Sequence, residues 1–199
     1  MKLYGTTTSP FVRRVRIVGA LVGAEMELVN TAVESGQNEL RALTPIWKVP
    51  VLESSDHVLF DSHVIIDYLL RRYGNRNVRT ESGDARWRER NLESVIDGAL
   101  DSSINLFYLR ELPAESAPYL QKQRDRVESA MNWLEKQLRG VWFSDEPRLG
   151  LTEIALYTAL DWMRFRDVYP VERHPAFAKF LQTHRDVPAI AATPPKVTA

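Results

Sequence analysis

The stretch from Lys48 to Ser62 constrains the fold more tightly than any other part of the chain. Val49 to Leu52 and Val58 to Phe60 are short β-forming runs, and Ser54-Ser55-Asp56 between them is a turn cluster, so the pair reads as a hairpin. Pro50 stands at the mouth of the first run, where its missing N–H confines it to a strand start or a sheet edge. An X-Pro bond is also where a cis peptide is cheap, about 0.5–1 kcal/mol above the trans form. A cis Val49-Pro50 bond would turn the main chain of Val49 outward and leave its N–H and C=O for another extended chain. Just past the hairpin, Asp61-Ser62 precedes the helical run Val64 to Leu70, which makes Ser62 a helix N-cap or first-turn residue. Unsatisfied N–H groups at a helix start suit a carboxylate. Taken singly, Pro50 starts a strand and Ser62 caps a helix. Taken together, they offer backbone pairing for a peptide and an anion pocket for its charged end.

The residues before this hairpin supply the rest of a mixed sheet. Lys2-Leu3-Tyr4 is a short strand closed by Gly5, and Phe11, Val15, Val18 and Val22 recur at helical spacing. Pro10 fits the first turn of that helix and leaves Ser9 at its N-cap. Glu27 to Asn30 reads as a second strand, completing a right-handed βαβ unit. Asn38 to Leu43 reads as a short helix stopped before Pro45. The order β-α-β-α-β-β-α predicts helices on the faces of a mixed sheet. Ser9 has two roles open to it. It can be an ordinary N-cap, or its hydroxyl can donate to an anion such as a thiolate, which helix N-termini favour.

Composition narrows the chemistry. Lys+Arg and Asp+Glu both number 26, so no net field favours nucleic acid or an anionic membrane. No apolar run approaches the roughly 20 residues needed to span a bilayer, and the N-terminus lacks a signal-peptide pattern, so a cytoplasmic location is expected. The chain contains no cysteine. It therefore has no thiol nucleophile or thiolate ligand of its own, and any sulfur chemistry must use a sulfur carried by the ligand. His57, His63, His174 and His184 show no metal-ligand spacing, read as surface or capping residues, and predict no metal.

Thr8-Ser9-Pro10-Phe11-Val12-Arg13, Lys48-Val49-Pro50-Val51-Leu52 and Phe60-Asp61-Ser62 together resemble the thioredoxin-like domain of the cytosolic glutathione transferases. The resemblance is to the serine-type classes and their bacterial relatives with an S-P-F-V-R opening. It implies a cis-proline at Pro50, with the backbone of Val49 pairing the cysteinyl part of glutathione. It also implies Asp61-Ser62 at the γ-glutamyl end, Lys48 at the glycine carboxylate, and a Ser9 hydroxyl that stabilises the glutathione thiolate. Redox relatives carry cysteine where this chain has Ser9, so mixed-disulfide chemistry with the protein is disfavoured. Trp47 stands where the family usually has glycine or a small polar residue, and His63 where proline, glutamine or alanine is commoner. Either change implies an altered affinity for glutathione.

The second half reads as helical throughout. Gly74 to Gly83 has the composition of a linker, which sets a thioredoxin-like domain at residues 1–76 and an all-α domain at 84–199. Asp84 can start a helix to about Arg110, and Leu120, Val127, Met131, Leu134 and Leu138 stripe a second one from Pro118 to about Arg139. Leu151 to Phe165 is apolar nearly all round, as in a helix at the centre of a bundle. The family introduces its central helix with an S/T-x-x-D capping box. Here Gly150-Leu151-Thr152-Glu153 keeps only the acidic end, and Glu153 can still reach back. His174-Pro175 starts a further helix, and residues 191–199 are a tail.

The reading predicted for the whole is a glutathione transferase acting in detoxification as a homodimer. It would join the glutathione thiolate to a small, largely apolar electrophile. Candidate acceptor-pocket residues are Phe11, Phe107, Tyr108, Trp162 and Phe165, while Asp97 and Asp101, one turn apart, suit a structural or interface role. The rivals are a non-catalytic binding or regulatory module of the same fold and a glutathione-dependent lyase or isomerase.

Overall fold

The computed structural model describes residues 1–111, 113 and 117–197. It divides into two compact units, one of Met1–Arg79 with the segment from Asp186 onward, the other of Thr80–Arg185. The first has the expected thioredoxin-like α/β architecture. Its elements are β1 (Lys2–Gly5), α1 (Pro10–Val22), β2 (Glu27–Asn30), α2 (Glu34–Leu43), β3 (Val51–Glu53), β4 (Val58–Phe60) and α3 (Ser62–Tyr73). The strands form one four-stranded sheet in the order β2-β1-β3-β4. β1 runs parallel to β2, with Leu3 opposite Leu28, and antiparallel to β3, with Leu3 opposite Leu52. β4 closes the hairpin antiparallel to β3.

Successive strand residues face opposite sides of a sheet, and both sides here are covered. Tyr4, Val51 and Leu40 of α2 form one core cluster, with Val29, Leu43 and Val49 packed against it. α1 packs on α3, and Val12, Val15, Ile17, Val18, Ile65 and Leu69 are fully buried. Each such side chain contributes about 1.5–3 kcal/mol of burial. Three details depart from the sequence reading. Arg13 and Arg14 are buried, so α1 is enclosed beyond its predicted apolar stripe. α2 begins at Glu34, four residues before the periodicity shows it, and its Gly36 lies so close to the Asn30 carbonyl that a Cβ there would collide. Just ahead of the predicted tail, in a stretch the sequence left unassigned, is a last helical turn, α8 (Pro188–Ala191), packed against α1. Thr193 is buried and donates to the Ala189 carbonyl at 3.0 Å.

The second unit is helical, as expected: α4 (Gly83–Tyr108), α5 (Ala117–Gln137), α6 (Leu151–Phe165) and α7 (Pro175–His184), with a 3₁₀ turn at Val171–Arg173. Every residue from Leu151 to Leu160 is buried, with α4 and α7 packed against α6. Gly150 caps α6 without a side chain. Glu153 accepts the Gly150 N–H at 3.0 Å with one carboxylate oxygen and the Phe143 N–H at 2.9 Å with the other. The acidic half of the capping box thus also pins the preceding loop.

Two histidines read as surface or capping residues are buried instead. His184 bonds the Val141 carbonyl at 3.0 Å, between the rings of Trp142 and Phe180. Burial pushes its imidazole below the ordinary histidine range, only partly offset by that carbonyl. His174 lies 2.8 Å from Glu135 and 2.7 Å from the Tyr169 hydroxyl. Nothing in the spacing of a lone histidine distinguishes such a buried partner from a surface one. His57 and His63 keep some exposure.

Candidate functional site

Register brings the candidate residues of the first unit to one end of its sheet. Val51 is opposite Tyr4 on one side and Phe60 on the other. Three segments therefore leave the sheet at the same edge: the turn after β1 that carries Ser9, the Val49-Pro50 approach to β3, and the Asp61-Ser62 exit from β4. Adjacent strands are about 4.8 Å apart, so these three exits span about 10 Å.

Ser9 is the N-cap of α1, with extended backbone and a hydroxyl oxygen that accepts the Val12 N–H at 3.3 Å. The oxygen is occupied as an acceptor, and its own proton remains to be donated. The turn is braced from the other end of the chain, since the Thr7 hydroxyl donates to the Lys196 carbonyl at 2.6 Å. No local signal in the sequence points to that brace. Tyr4, another hydroxyl near this end, is unsuited to the same role. It donates to Glu53 at 2.9 Å and to Glu39 at 3.3 Å. Burial first, then Glu53, pushes its hydroxyl far above the usual tyrosine range, so it stays a structural donor.

The Val49-Pro50 peptide bond is cis. The β1–β3 ladder starts at Val51, so the backbone of Val49 lies outside it, while the Val49 side chain packs on the Tyr4–Leu40–Val51 cluster. Lys48 is exposed. Trp47, 60% exposed, has φ 50° and stacks with the Arg41 guanidinium at 5.4 Å.

At the third segment the N-cap of α3 is Asp61, not Ser62. Asp61 sits at φ 80° and accepts the His63 N–H at 2.7 Å, which uses one first-turn donor. Ser62 is the first helical residue and is 3% exposed. His63 lies 3.4 Å from Arg14, whose guanidinium is 5.3 Å from the centre of the Phe11 ring.

The remaining candidates belong to the helical unit. Phe107 meets Tyr108 at 5.0 Å and Trp162 at 5.9 Å between ring centres, both edge-on. Trp162 is buried, whereas Tyr108 is 72% exposed. Phe165 joins the group through Arg166, whose guanidinium is 4.8 Å from the Phe107 ring and 4.9 Å from the Phe165 ring. Phe11 is the one aromatic candidate in the first unit. Among the described residues, no three His, Asp or Glu side chains gather as a metal site, and no helix is long and apolar enough to cross a membrane.

This combination of a thioredoxin-like sheet, a cis-proline and a following helical unit defines a class. Residues 3–77 match the glutathione S-transferase N-terminal domain and residues 86–183 the C-terminal domain. The chain belongs to the glutathione S-transferase family. It is 30% identical to glutathione S-transferase 4 of Zea mays over 85% of this chain and 74% of that one. It is 29% identical to the uncharacterized GST-like protein YibF of Escherichia coli over 85% of both. A glutathione S-transferase of Methylobacterium radiotolerans, solved with glutathione sulfonate, superposes with a TM-score of 0.86 at 25% identity, over 100% of this chain and 96% of that one. A glutathione transferase family member of Pseudomonas fluorescens, solved with glutathione, gives 0.82 at 28% identity, over 98% and 99%.

Proposed function

We propose that this protein is a serine-type glutathione transferase that binds glutathione across the sheet end and joins its thiolate to a small, largely apolar electrophile. The observation that carries the reading is the shared register of Tyr4, Val51 and Phe60, which gathers Ser9, Val49-Pro50 and Asp61-Ser62 at one edge. An extended tripeptide is about 10 Å long, the same as the spread of those three exits. In this reading the backbone of Val49 pairs with the cysteinyl residue, Asp61 and Ser62 hold the γ-glutamyl end, and Lys48 meets the glycine carboxylate. Ser9 donates its free proton to the sulfur at the start of α1. The acceptor rests against apolar rings, for which Phe11, Phe107, Tyr108, Trp162 and Phe165 are the candidates. The relatives solved with glutathione or its sulfonate support the ligand assignment. Location in the cytoplasm and assembly as a homodimer belong to the same proposal.

Retention on immobilised glutathione, followed by conjugation of a generic aryl halide, tests the proposal. Retention with turnover is expected. Retention without turnover on any of several electrophile classes favours the non-catalytic module, for which the exposed Trp47 at the proposed glycine end is the one supporting observation. Failure to retain glutathione removes the transferase reading and favours a module whose glutathione site is vestigial.

A further inference from the structure

The turn that carries Ser9 is weakly bonded within itself. It spans residues 6–9, where the Ser9 N–H donates to the Thr6 carbonyl at 3.2 Å and one of the Thr6 and Thr8 hydroxyls donates to the other at 3.1 Å. On the helix side, the Ser9 hydroxyl oxygen accepts the Val12 N–H at 3.3 Å. Donors of these kinds usually sit about 2.9–3.0 Å from their acceptors for N–H and about 2.7–2.8 Å for O–H, so all three bonds are long. The short bond of the turn is not local. It runs from the Thr7 hydroxyl to the Lys196 carbonyl at 2.6 Å, across 189 positions of sequence.

The segment that supplies this carbonyl is itself well anchored. α8 buries Ala189 and Ile190 and packs on α1, the helix that Ser9 caps. The buried Thr193 hydroxyl donates to the carbonyls of Ala189 at 3.0 Å and Ile190 at 3.2 Å, which ties the chain to the end of α8. Pro194 and Pro195 follow, and each ring fixes its own φ. Little freedom is left between the anchor at Thr193 and the acceptor at Lys196. The turn and this segment belong to the same compact unit.

We propose that residues 193–196 form a strap that, through Thr7, positions the Ser9 hydroxyl for the sulfur of a bound glutathione. The inference rests on the reading of Ser9 as the donor to that sulfur. Thr7 is then a positioning residue: its proton goes to the strap, and Ser9 alone donates to the ligand. Without the strap the long bonds of the turn let it sample orientations in which the Ser9 proton misses the sulfur. The net worth of one such bond is a factor of about 2–10 in the population of the aligned turn. That limits the rise in the pKa of the bound thiol on losing the strap to about one unit.

Titrating the ultraviolet absorbance of the bound glutathione thiolate against pH tests the strap, in the full chain and in its Thr7→Val, Ser9→Ala and doubly substituted forms. Thr7→Val keeps the branched shape, removes the hydroxyl and should raise the thiol pKa by about 0.3–1 unit. Calorimetry should show glutathione affinity at acid pH within about twofold of the unsubstituted chain. Thr7→Ser keeps the hydroxyl and should restore the original thiol pKa. Pro195→Gly loosens the strap without touching the turn and should shift the thiol pKa upward as Thr7→Val does; it decides the matter if Thr7→Val fails to fold. In the Ser9→Ala background, Thr7→Val should add no further shift, because residues that act through one another are not additive. A shift in Ser9→Ala with none in Thr7→Val, no restoration by Thr7→Ser, or an equal Thr7→Val shift with and without the Ser9 hydroxyl would overturn the strap and leave the role of Ser9 standing. No shift in Ser9→Ala, or no glutathione bound at all, would remove both.

Discussion

Substituting Ser9 by alanine separates the two tasks given to one hydroxyl, and the structure sets the size of each. As a cap, Ser9 holds one amide at 3.3 Å, a long bond at the weak end of the range, so its loss costs about 0.5–1 kcal/mol of stability. As the proposed donor to a bound thiolate it would make a charge-assisted bond of about 1.5–3 kcal/mol. At about 1.4 kcal/mol per pH unit, that bond lowers the pKa of the bound thiol by about one to two units. A thiol near 8.5 thus comes to about 7. At pH 7 the ionised fraction is then about one half with the hydroxyl and about 3% without it. A more basic thiolate is intrinsically more nucleophilic, which returns about fivefold of that loss. Turnover of an aryl halide at pH 7 should therefore fall about threefold in Ser9→Ala, and the two rates should cross near about pH 8, where the ionised fractions differ about fivefold.

The decisive measurement is kcat/KM against pH for both proteins, with calorimetry to show that glutathione still binds. The apparent pKa of the rising limb should move up by about one to two units. Superimposable profiles would mean that the hydroxyl only caps the helix, and the sulfur would need another partner.

Glu153→Ala strips the acceptors from two buried amides, those of Gly150 and Phe143, and should cost about 2–6 kcal/mol in urea unfolding; a loss below about 1 kcal/mol would deny the carboxylate its bridging role. His184 is held neutral by burial, so the unfolded chain binds more protons on acidification. Stability should be complete above about pH 6.5 and fall as the pH drops, by up to about 1.4 kcal/mol per unit for this group. Comparing unfolding curves at several pH values, His184→Gln should flatten that part of the dependence. Tyr169→Phe removes the hydroxyl shared by Glu128 and His174 and should cost about 1–3 kcal/mol in thermal unfolding; an unchanged midpoint would show that water replaces it freely.

What could be read in advance was what local chemistry dictates. Pro10 after Ser9 marks a helix start with a capping hydroxyl, and the apolar run at Leu151 marks a buried helix, because caps and periodicity act over a few residues. The hairpin around Ser54 was legible for the same reason. Features that depend on long-range packing were not. Arg13 and Arg14 look like a solvated face, yet lie buried. The first turn of α2 was invisible because Gly36 answers to the Asn30 carbonyl rather than to a periodic pattern. Thr7 meets the Lys196 carbonyl 189 positions away, and no motif connects them.

The hairpin that first constrained the fold is flanked by two residues in unfavourable backbone conformations. Trp47 at φ 50° lies just before Val49-Pro50, and Asp61 at φ 80° lies just after β4. A non-glycine residue there costs of order 1–3 kcal/mol and persists only when its surroundings specify it. Asp61 recovers part of that cost by accepting the His63 N–H at 2.7 Å, and the bond aims the chain into α3 immediately beside Ser62. Trp47 recovers less. Its ring is mostly in solvent, with Arg41 at 5.4 Å as its stacking partner. Glycine would adopt the same backbone at no steric cost, so folding alone does not explain the tryptophan. Its place next to Lys48, at the proposed glycine end of the bound peptide, supplies a reason: a large ring can cover that end and narrow what enters. In the proposed binding mode Trp47 would narrow the ligand site at the expense of stability.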